Sequence, residues 1–321
     1  MKKMSVVVVV SLLLVAMVAS LGSAADKKFV IAMVPKALDN PIFVDAREAG
    51  KKAAEALGVE WIWAASQKSD AAEQVAVVES LIQKKVDAIG ISVNDPTALK
   101  DVIDKAIDAG IIVATWDADS PKSKRLFYLG TDNFGGGFKC GELMKQLLGE
   151  KGGKVAVLTG VIGALNLEER IRGFRDAVKG SKVEVTEVLS GDDDINKSVD
   201  VVNQYTLANQ GKFDGWFFDG GWPLFVPIDT LKPIKDFHDK GGKVISFDTF
   251  PPMLLHVKQG VVDLLAGQNY EVMGRGTVEM LVKLLKKEIA AKDVKTVMDS
   301  GLEIVDSKNI DETIKKKGTT W

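Results

Sequence analysis

The sequence predicts an α/β protein of two similar lobes, because it carries one segment twice and alternates strand and helix patterns. Residues 108–117 (DAGIIVATWD) reappear as residues 239–248 (DKGGKVISFD), and six of the ten positions match in kind at an offset of 131 residues. In both copies a helix pattern ends at a glycine, an apolar strand follows, and the strand ends on a carboxylate. A repeat this long is not a solenoid unit and indicates two α/β lobes.

Both halves of the chain alternate apolar strand patterns with amphipathic helix patterns, which is typical of Rossmann-like parallel sheets. In the first half we expect strands at 29–34, 60–64, 88–92 and 111–117, and helices at 42–57, 70–84 and 97–109. In the second half we expect strands at 154–159, 183–189, 215–219 and 243–248, and helices at 168–178, 195–210 and 227–239. A further helical pattern through residue 287 suggests that the chain crosses back to pack on the first lobe.

The repeated carboxylates, Asp117 and Asp248, are the first candidates for a binding site. Ligands of parallel α/β sheets bind beyond the carboxyl ends of the strands. Two facing lobes would therefore point both side chains into one cleft. Each aspartate could instead cap the helix that follows, since Asp is a preferred N-cap residue, but their repetition at matching positions favours the cleft.

The first 24 residues have the pattern of a secretory signal peptide. Lys2 and Lys3 precede an apolar stretch, and residues 22–24 supply small side chains for cleavage. The stretch is short for a membrane span, which needs roughly 20 apolar residues, so a retained anchor is the less favoured alternative. We therefore expect a secreted protein in the periplasm or another extracytoplasmic space.

The net charge of the chain argues against a nucleic-acid-binding protein. The whole chain has net charge −2, and cleavage would remove two lysines and no acids, which leaves about −4. Its one cysteine, Cys140, cannot form an intramolecular disulfide and is most simply a small buried hydrophobic residue.

Enzyme and metal motifs are mostly absent from the sequence. There is no P-loop, no G-x-S-x-G segment and no HExxH, and the only histidines are His238 and His256. We expect no catalytic residue, cofactor or built metal site. The glycine run at residues 135–137 could hold an anion at a helix start, but close helix packing is the favoured interpretation.

Polar planar side chains and aromatic rings gather at predicted loops and strand ends. Carboxylates, carboxamides and guanidinium groups suit adjacent hydroxyls, and an aromatic ring can cover the apolar face of a sugar. The candidate binding residues are Asn40, Phe43, Asp117, Asp119, Asn166, Arg170, Trp222, Asp248 and Gln268. Arg170 could instead be an exposed helix residue in a charged run. Trp61, Trp63 and Trp116 are interpreted as core residues.

With these motifs the chain resembles the periplasmic sugar-binding proteins of the ribose-binding type, which serve ABC importers. Residues 39–43 (DNPIF) are similar to the family's Asn-Asn-Pro-Phe-Phe segment, and residues 115–121 (TWDADSP) to its strand-end aspartate motif. Residues 130–133 match the first hinge crossing and residues 170–174 the Arg-x-x-Gly-Phe helix. Residues 246–249 and Gly267-Gln268 complete a set that covers the whole mature chain in order.

The resemblance implies a periplasmic binding protein type I fold with a hinge of three crossings, near residues 131–133, Gln268 and residues 295–301. The predicted N-terminal lobe is 25–131 plus 268–297, and the C-terminal lobe is 132–267 plus 298–321. The resemblance also implies which residues contact the sugar. Ring packing comes from Phe43, and the hydroxyl contacts come from the polar candidates Asn40, Asp117, Arg170, Asp248 and Gln268.

Four positions depart from the ribose-binding pattern. Ile42 replaces an aromatic residue, Ala118 replaces an Arg, and Gly220 replaces an Asn, while Trp222 adds a ring nearby. Residues 117–121 have the form Asp-x-Asp-Ser-Pro, which is closer to glucose- and xylose-binding members of the family. In this form Asp119 compensates for the Arg that is missing at Ala118. These changes favour a pyranose.

The predicted function is capture of a monosaccharide by hinge closure and its delivery to the permease of an ABC importer, without catalysis. A chemoreceptor is a further candidate partner, and a monomer is the default. Rhamnose, inositol, ribose and an autoinducer-type sugar stay open as ligands. A sugar-responsive regulator core is one rival class, although a signal peptide stands where its DNA-binding head would be. An exported enzyme with a two-lobe cleft is the other, although the sequence shows no base or nucleophile constellation.

Overall fold

A computed structural model describes residues 28–320 of the chain, so the predicted signal peptide lies outside the described residues. The strands are β1 (Val30–Val34), β2 (Glu60–Trp63), β3 (Ala88–Ile91), β4 (Ile112–Trp116), β5 (Tyr128–Gly130), β6 (Gly153–Thr159), β7 (Val183–Ser190), β8 (Gly215–Phe218), β9 (Lys243–Phe247), β10 (Leu264–Gln268), β11 (Val297–Asp299) and β12 (Leu302–Asp306). The helices are α1 (Val44–Leu57), α2 (Ala71–Gln83), α3 (Lys100–Asp108), α4 (Asn133–Leu148), α5 (Leu165–Val178), α6 (Ile195–Ala208), α7 (Lys232–Asp239), α8 (Pro251–Lys258), α9 (Tyr270–Leu285) and α10 (Ile310–Lys317). None of these helices is both long and apolar enough to cross a membrane.

The strands form two six-stranded sheets with the same order at their cores. The first sheet runs β11-β5-β4-β3-β1-β2 and is parallel throughout. The second runs β12-β10-β9-β8-β6-β7 and is parallel except for the β12–β10 pair. Both contain the 2-1-3-4-5 order of doubly wound sheets. The predicted α/β class with two Rossmann-like lobes is therefore confirmed.

The chain passes between the sheets three times, between β5 and β6, between β10 and β11, and between β11 and β12. After the second sheet, α9 packs on α1 so closely that a Cβ on Gly274 would lie 2.1 Å from the Ala46 carbonyl oxygen. The division into two lobes that move about a hinge stays a prediction.

The predicted strands and helices end within a few residues of the observed bounds. Those that the sequence missed are α8, α10, the strands β5 and β10, and the edge strands β11 and β12. β5 and β11 have three residues each, too few to show the two-residue alternation that identifies a strand. The predicted strand ends at Asp117 and Asp248 each extend one residue too far, because both aspartates have a left-handed backbone, with φ of 58° and 73°.

The glycine run before Cys140 serves close helix packing, which confirms the favoured interpretation. A Cβ on Gly137 of α4 would lie 2.0 Å from the Arg170 carbonyl oxygen of α5. In return, a Cβ on Gly173 would lie 2.1 Å from the Phe134 carbonyl oxygen. Cys140 is fully buried beside this contact, and burial raises the pKa of its thiol to about 12, which keeps it protonated and unreactive.

Of the three tryptophans interpreted as core residues, Trp116 is fully buried. Trp61 and Trp63 are half-buried on the edge strand β2 and stack on each other with ring centroids 6.0 Å apart. Trp63 also contacts the Trp116 ring at 6.0 Å between centroids. The three rings thus form one cluster, and none of them lines the cavity described below.

Candidate ligand-binding site

A small closed cavity lies where the carboxyl ends of the two sheets face each other. It encloses at most about 260 Å³, less than the space that sites for drug-sized ligands offer. Six of the nine predicted site residues line it, namely Phe43, Asp117, Asn166, Arg170, Trp222 and Asp248. The fold therefore brings together polar groups that are as many as 131 residues apart in the chain. Their role in binding stays a prediction.

The two repeated aspartates occupy equivalent places and have different partners. Asp117 Oδ2 accepts a hydrogen bond from the Ser92 hydroxyl at 2.6 Å, and Asp117 Oδ1 lies 3.4 Å from the Tyr270 hydroxyl. Asp248 Oδ2 accepts from the Gly221 amide at 3.0 Å. Each carboxylate is thus held in place and keeps acceptor positions for a ligand, since an ionised carboxylate has about four.

Arg170 is buried in the second lobe and is held by three partners. Its guanidinium donates to Asn133 Oδ1 at 2.9 Å, to the Asp219 carbonyl oxygen at 2.6 Å and to Gln268 Oε1 at 2.7 Å. The same group lies over the Phe247 ring, 4.2 Å from its centroid. The alternative of an exposed helix residue is wrong, since Arg170 is 2 % exposed.

Gln268 does not line the cavity but links the residues that do. Its Oε1 also accepts from the Thr131 hydroxyl at 3.0 Å, and its Nε2 donates to Asp248 Oδ1 at 2.8 Å and to the Tyr270 hydroxyl at 2.9 Å. Both ends of the carboxamide are therefore occupied. The direct sugar contact predicted for Gln268 stays a prediction, and its observed contacts fix Asp248 and Arg170.

Two aromatic rings form apolar walls. Phe43 is 2 % exposed and packs edge-on against Trp116 and Tyr270, with centroids 5.5 Å and 6.1 Å away. Trp222 covers Gly220, where an added Cβ would lie 2.4 Å from the indole ring. The departure at Gly220 thus has a steric reason, because the Trp222 ring fills the space that a side chain at position 220 would need.

Asp119, predicted as a binding residue, does not line the cavity, and its role in binding stays a prediction. Its carboxylate forms an ion pair with Arg125, with Oδ1 2.7 Å from Nε and Oδ2 2.6 Å from Nη2, and it also accepts from Thr115. The tight turn after Asp117, in which the Ala118 amide reaches the Trp116 carbonyl oxygen at 2.6 Å, directs the chain away from the cavity. The one sequence signal for this ion pair was that Arg125 lies six residues from Asp119.

Asn40 is also absent from the cavity wall. Its Oδ1 accepts from the Ile42 amide at 3.2 Å and caps the short turn Pro41–Phe43. Its Nδ2 is buried with no protein partner among residues 28–320. The side chain thus has a clear local role, and a ligand contact through Nδ2 is left as a prediction.

Sequence reasoning missed three polar residues of the cavity, Lys36, Asp193 and Tyr270. Lys36 follows β1 and Asp193 follows β7, so the strand-end rule that identified Asp117 could have found both. Lys36 is 3 % exposed, and its ammonium donates to Asn166 Oδ1 at 3.0 Å. Tyr270 opens α9 two residues after β10 ends, so the same rule applies to it, but β10 was not among the predicted strands.

Burial sets the protonation behaviour of the carboxyl groups around the cavity. It raises the pKa of Asp248, an effect that the nearby Arg170 guanidinium opposes. It raises the pKa of Asp219 well above the usual value, and again Arg170 works against it. Among residues 28–320 no group of acidic, histidine or cysteine side chains could hold a metal ion. The cavity therefore offers hydrogen-bond acceptors, a few donors and two rings, which suits a small neutral polyol.

Comparison with known proteins agrees with this chemistry. Residues 31–289 match the family described as periplasmic binding protein domain. The ribose import binding protein of Bacillus subtilis strain 168 is 32 % identical over 276 residues, covering 85 % of this chain and 87 % of the relative. The D-ribose/D-allose-binding protein of Pseudomonas aeruginosa is 29 % identical to this chain. The match covers 79 % of this chain and 88 % of that protein.

Among solved structures, the solute-binding protein of an ABC transporter from Burkholderia graminis, in complex with D-arabinose, superposes with a TM-score of 0.82. It is 32 % identical, and the match covers 89 % of this chain and 98 % of that protein. The chain therefore belongs to the periplasmic binding protein family, as a sugar-binding protein of the ribose-binding type that serves ABC importers.

Proposed function

We propose that this protein captures one monosaccharide, a pyranose of the glucose or xylose kind, and presents it to the permease of an ABC importer. The observation that carries the proposal is the closed cavity between two sheets, which holds one strand-end carboxylate from each, Asp117 and Asp248. The upper bound of about 260 Å³ on the cavity argues against a disaccharide as the ligand.

Hinge closure is the proposed means of capture. Polar groups from both sheets reach a ligand only when the lobes are closed, so a ligand favours the closed state by its extra contacts there. Contacts between the lobes accompany closure, such as Lys36 Nζ to Asn166 Oδ1. The three crossings are the places where the lobes would rotate.

The preference for a pyranose rests on the walls of the cavity. Trp222 supplies a broad flat surface beside Gly220, and a six-membered ring with equatorial hydroxyls presents an apolar face of matching shape. Ala118, with its side chain buried, supplies no cation beside Asp117. Relatives are named for ribose, allose and D-arabinose, so pentoses and hexoses both belong in the test.

The test is calorimetry with the mature protein, residues 25–321, against ribose, xylose, arabinose, glucose, galactose, allose, rhamnose and inositol. A cavity ligand must also raise the melting temperature with concentration, because it binds only the folded state. We expect glucose or xylose to bind at least tenfold more tightly than ribose. Ribose as the tightest ligand would contradict the pyranose preference, and no binding by any polyol would contradict the receptor function.

Export, partner and lack of catalysis are parts of the same proposal. Homologues that match most of the chain are named as transport proteins, and the signal-peptide pattern of residues 1–24 supports export to the periplasm. A catalytic role predicts chemical change of the sugar. Recovering the bound ligand unchanged by mass spectrometry after long incubation is the expected result.

A further inference from the structure

Asp193 stands at the boundary between the cavity and solvent. It lies in the loop between β7 and α6, and it lines both the closed cavity and an outer groove that also contains Ser69. Ser69 belongs to the first lobe, in the loop after β2, so the two residues meet across the gap between lobes. Any ligand in the cavity therefore has Asp193 on its solvent side.

The carboxylate of Asp193 has acceptor positions to spare. Its Oδ2 accepts from the Ser69 hydroxyl and its Oδ1 from the Val161 amide, each at 3.2 Å. Both distances are at the long end of the normal range. Since a carboxylate has about four acceptor positions, a ligand hydroxyl can donate to Asp193 without displacing a strong protein contact.

A matching donor comes from the opposite lobe. Lys36 lines the same cavity, and its buried ammonium has three N–H groups, of which one is directed to Asn166. Burial raises the pKa of Asp193, and the nearby Lys36 ammonium opposes this effect. The cavity thus contains, besides its repeated aspartates, a cationic donor from one lobe and an anionic acceptor from the other.

We propose that Asp193 is a specificity-determining residue, which accepts a hydrogen bond from one ligand hydroxyl while Lys36 donates to the same hydroxyl. This inference rests on the proposed function. Among the oxygen groups of a neutral sugar, only a hydroxyl can donate and accept at once. The pair therefore selects against a ligand that lacks this hydroxyl or carries an O-methyl group there. Because the two residues come from different lobes, the same hydroxyl favours closure.

The first experiment compares Asp193→Asn with Asp192→Asn by calorimetry, using the tightest sugar found for the wild type. Asp192 is a matched control for Asp193, because the two residues are adjacent and both have a left-handed backbone, with φ of 53° at Asp192 and 57° at Asp193. Asparagine tolerates that conformation. Asp192 is exposed and does not line the cavity. We expect a loss of about tenfold or more for Asp193→Asn and less than about twofold for Asp192→Asn.

The second experiment uses deoxy analogues of the same sugar, one for each ring hydroxyl. For one analogue, we expect the wild type to bind about tenfold or more weakly than it binds the unmodified sugar. Asp193→Asn should bind the same analogue less than about threefold more weakly than it binds the unmodified sugar. An unchanged analogue profile in Asp193→Asn overturns the proposal even if overall affinity falls.

Ser69→Ala separates a ligand contact from a simple latch between lobes, because it removes only the hydrogen bond across the gap. We expect a faster dissociation rate and the wild-type order of analogues. If Ser69→Ala reproduces the whole loss seen in Asp193→Asn, the ligand contact is refuted. Wild-type protein that binds no sugar refutes the proposed function instead, so the two failures are distinguishable.

Discussion

The two repeated aspartates end equivalent strands, but they are connected to the rest of the molecule in different ways. Asp117 is held by hydroxyl groups of Ser92 and Tyr270, both of which pack with the first sheet. Asp248 is held by the Gly221 amide and by Gln268, which also binds Arg170 and Thr131 near the crossings between sheets. The first lobe therefore presents a locally fixed carboxylate, and the second presents one that is coupled to the hinge region.

Arg170→Ala tests the coupled side most severely. It leaves Asn133 Oδ1 and the Asp219 carbonyl without the donor they have in this buried site, and Gln268 Oε1 with Thr131 alone. We therefore expect affinity to fall by at least ~100-fold and stability by ~2–5 kcal/mol. Calorimetry and urea unfolding measure the two effects. Arg170→Lys keeps the charge but loses the planar fork, and we expect it to rescue stability in part and affinity little.

Asp117→Ala and Asp248→Ala test the comparison directly. Each removes acceptors for ligand hydroxyls and should cost ~1–3 kcal/mol of binding energy, which is ~5- to 150-fold in affinity. Asp248→Ala should lower the melting temperature of the ligand-free protein more than Asp117→Ala does. It leaves the fixed Gly221 N–H without its acceptor, whereas the hydroxyl groups of Ser92 and Tyr270 can rotate when Asp117 is removed. Wild-type affinity in both variants would contradict the site, and equal melting temperatures would contradict the difference in coupling.

Tyr270→Phe removes the single hydroxyl that lies between the two aspartates. Its oxygen is 2.9 Å from Gln268 Nε2 and 3.4 Å from Asp117 Oδ1. We expect a loss of ~0.5–1.5 kcal/mol in binding. In double-mutant cycles the shorter contact predicts stronger coupling of Tyr270→Phe to Gln268→Ala than to Asp117→Ala, and the reverse order would contradict this assignment.

Acid sensitivity should begin in the second half of the chain, which contains both histidines. Burial lowers the pKa of His256, whose Nε2 lies 3.0 Å from the Val226 carbonyl oxygen. A histidine with a lowered pKa in the folded state stabilises the fold above its unfolded pKa of about 6.5, and this contribution is lost as the pH falls below that value.

Urea unfolding of wild type and His256→Asn at pH 7.5 and 5.5 measures this effect, which we expect to be the smallest of the set. The wild type should lose more stability than the variant on acidification. The comparison between variants is needed because burial raises the pKa of Asp248, so that acidification stabilises the folded state through that group. Equal losses would remove His256 from the explanation.

The contrast between Asp117 and Asp119 shows what the sequence could and could not predict. The repeat and the strand-end rule placed Asp117 and Asp248 in one cavity, because strand periodicity determines where a parallel strand stops. The position of Asp119 depends on a tight turn and on Arg125, six residues away, whose side chain could have turned to solvent as far as the sequence shows. Local rules therefore predicted the strand ends but not which way the side chain two residues further on would point.

Lys36 and Asp193 were missed for a different reason. Both follow strands, but no repeat singles them out, and a charged residue in a loop is usually solvated. Only the facing of the two sheets shows that these loops enclose a space. The sequence predicted Trp222 as a ring that packs against the ligand. Its contact with Gly220 could not be predicted, because it depends on the turn between β8 and the helical turn Trp222–Phe225.

The glycine contact between α4 and α5 has a consequence for evolution of the ligand preference. Arg170 contributes both its carbonyl oxygen to that contact and its guanidinium to the cavity wall. A single added methyl group at Gly137 would push the α5 backbone outward and carry the guanidinium with it. Which sugar is accepted can thus drift through mutations at helix surfaces that never meet the sugar, while every contacting residue keeps its identity.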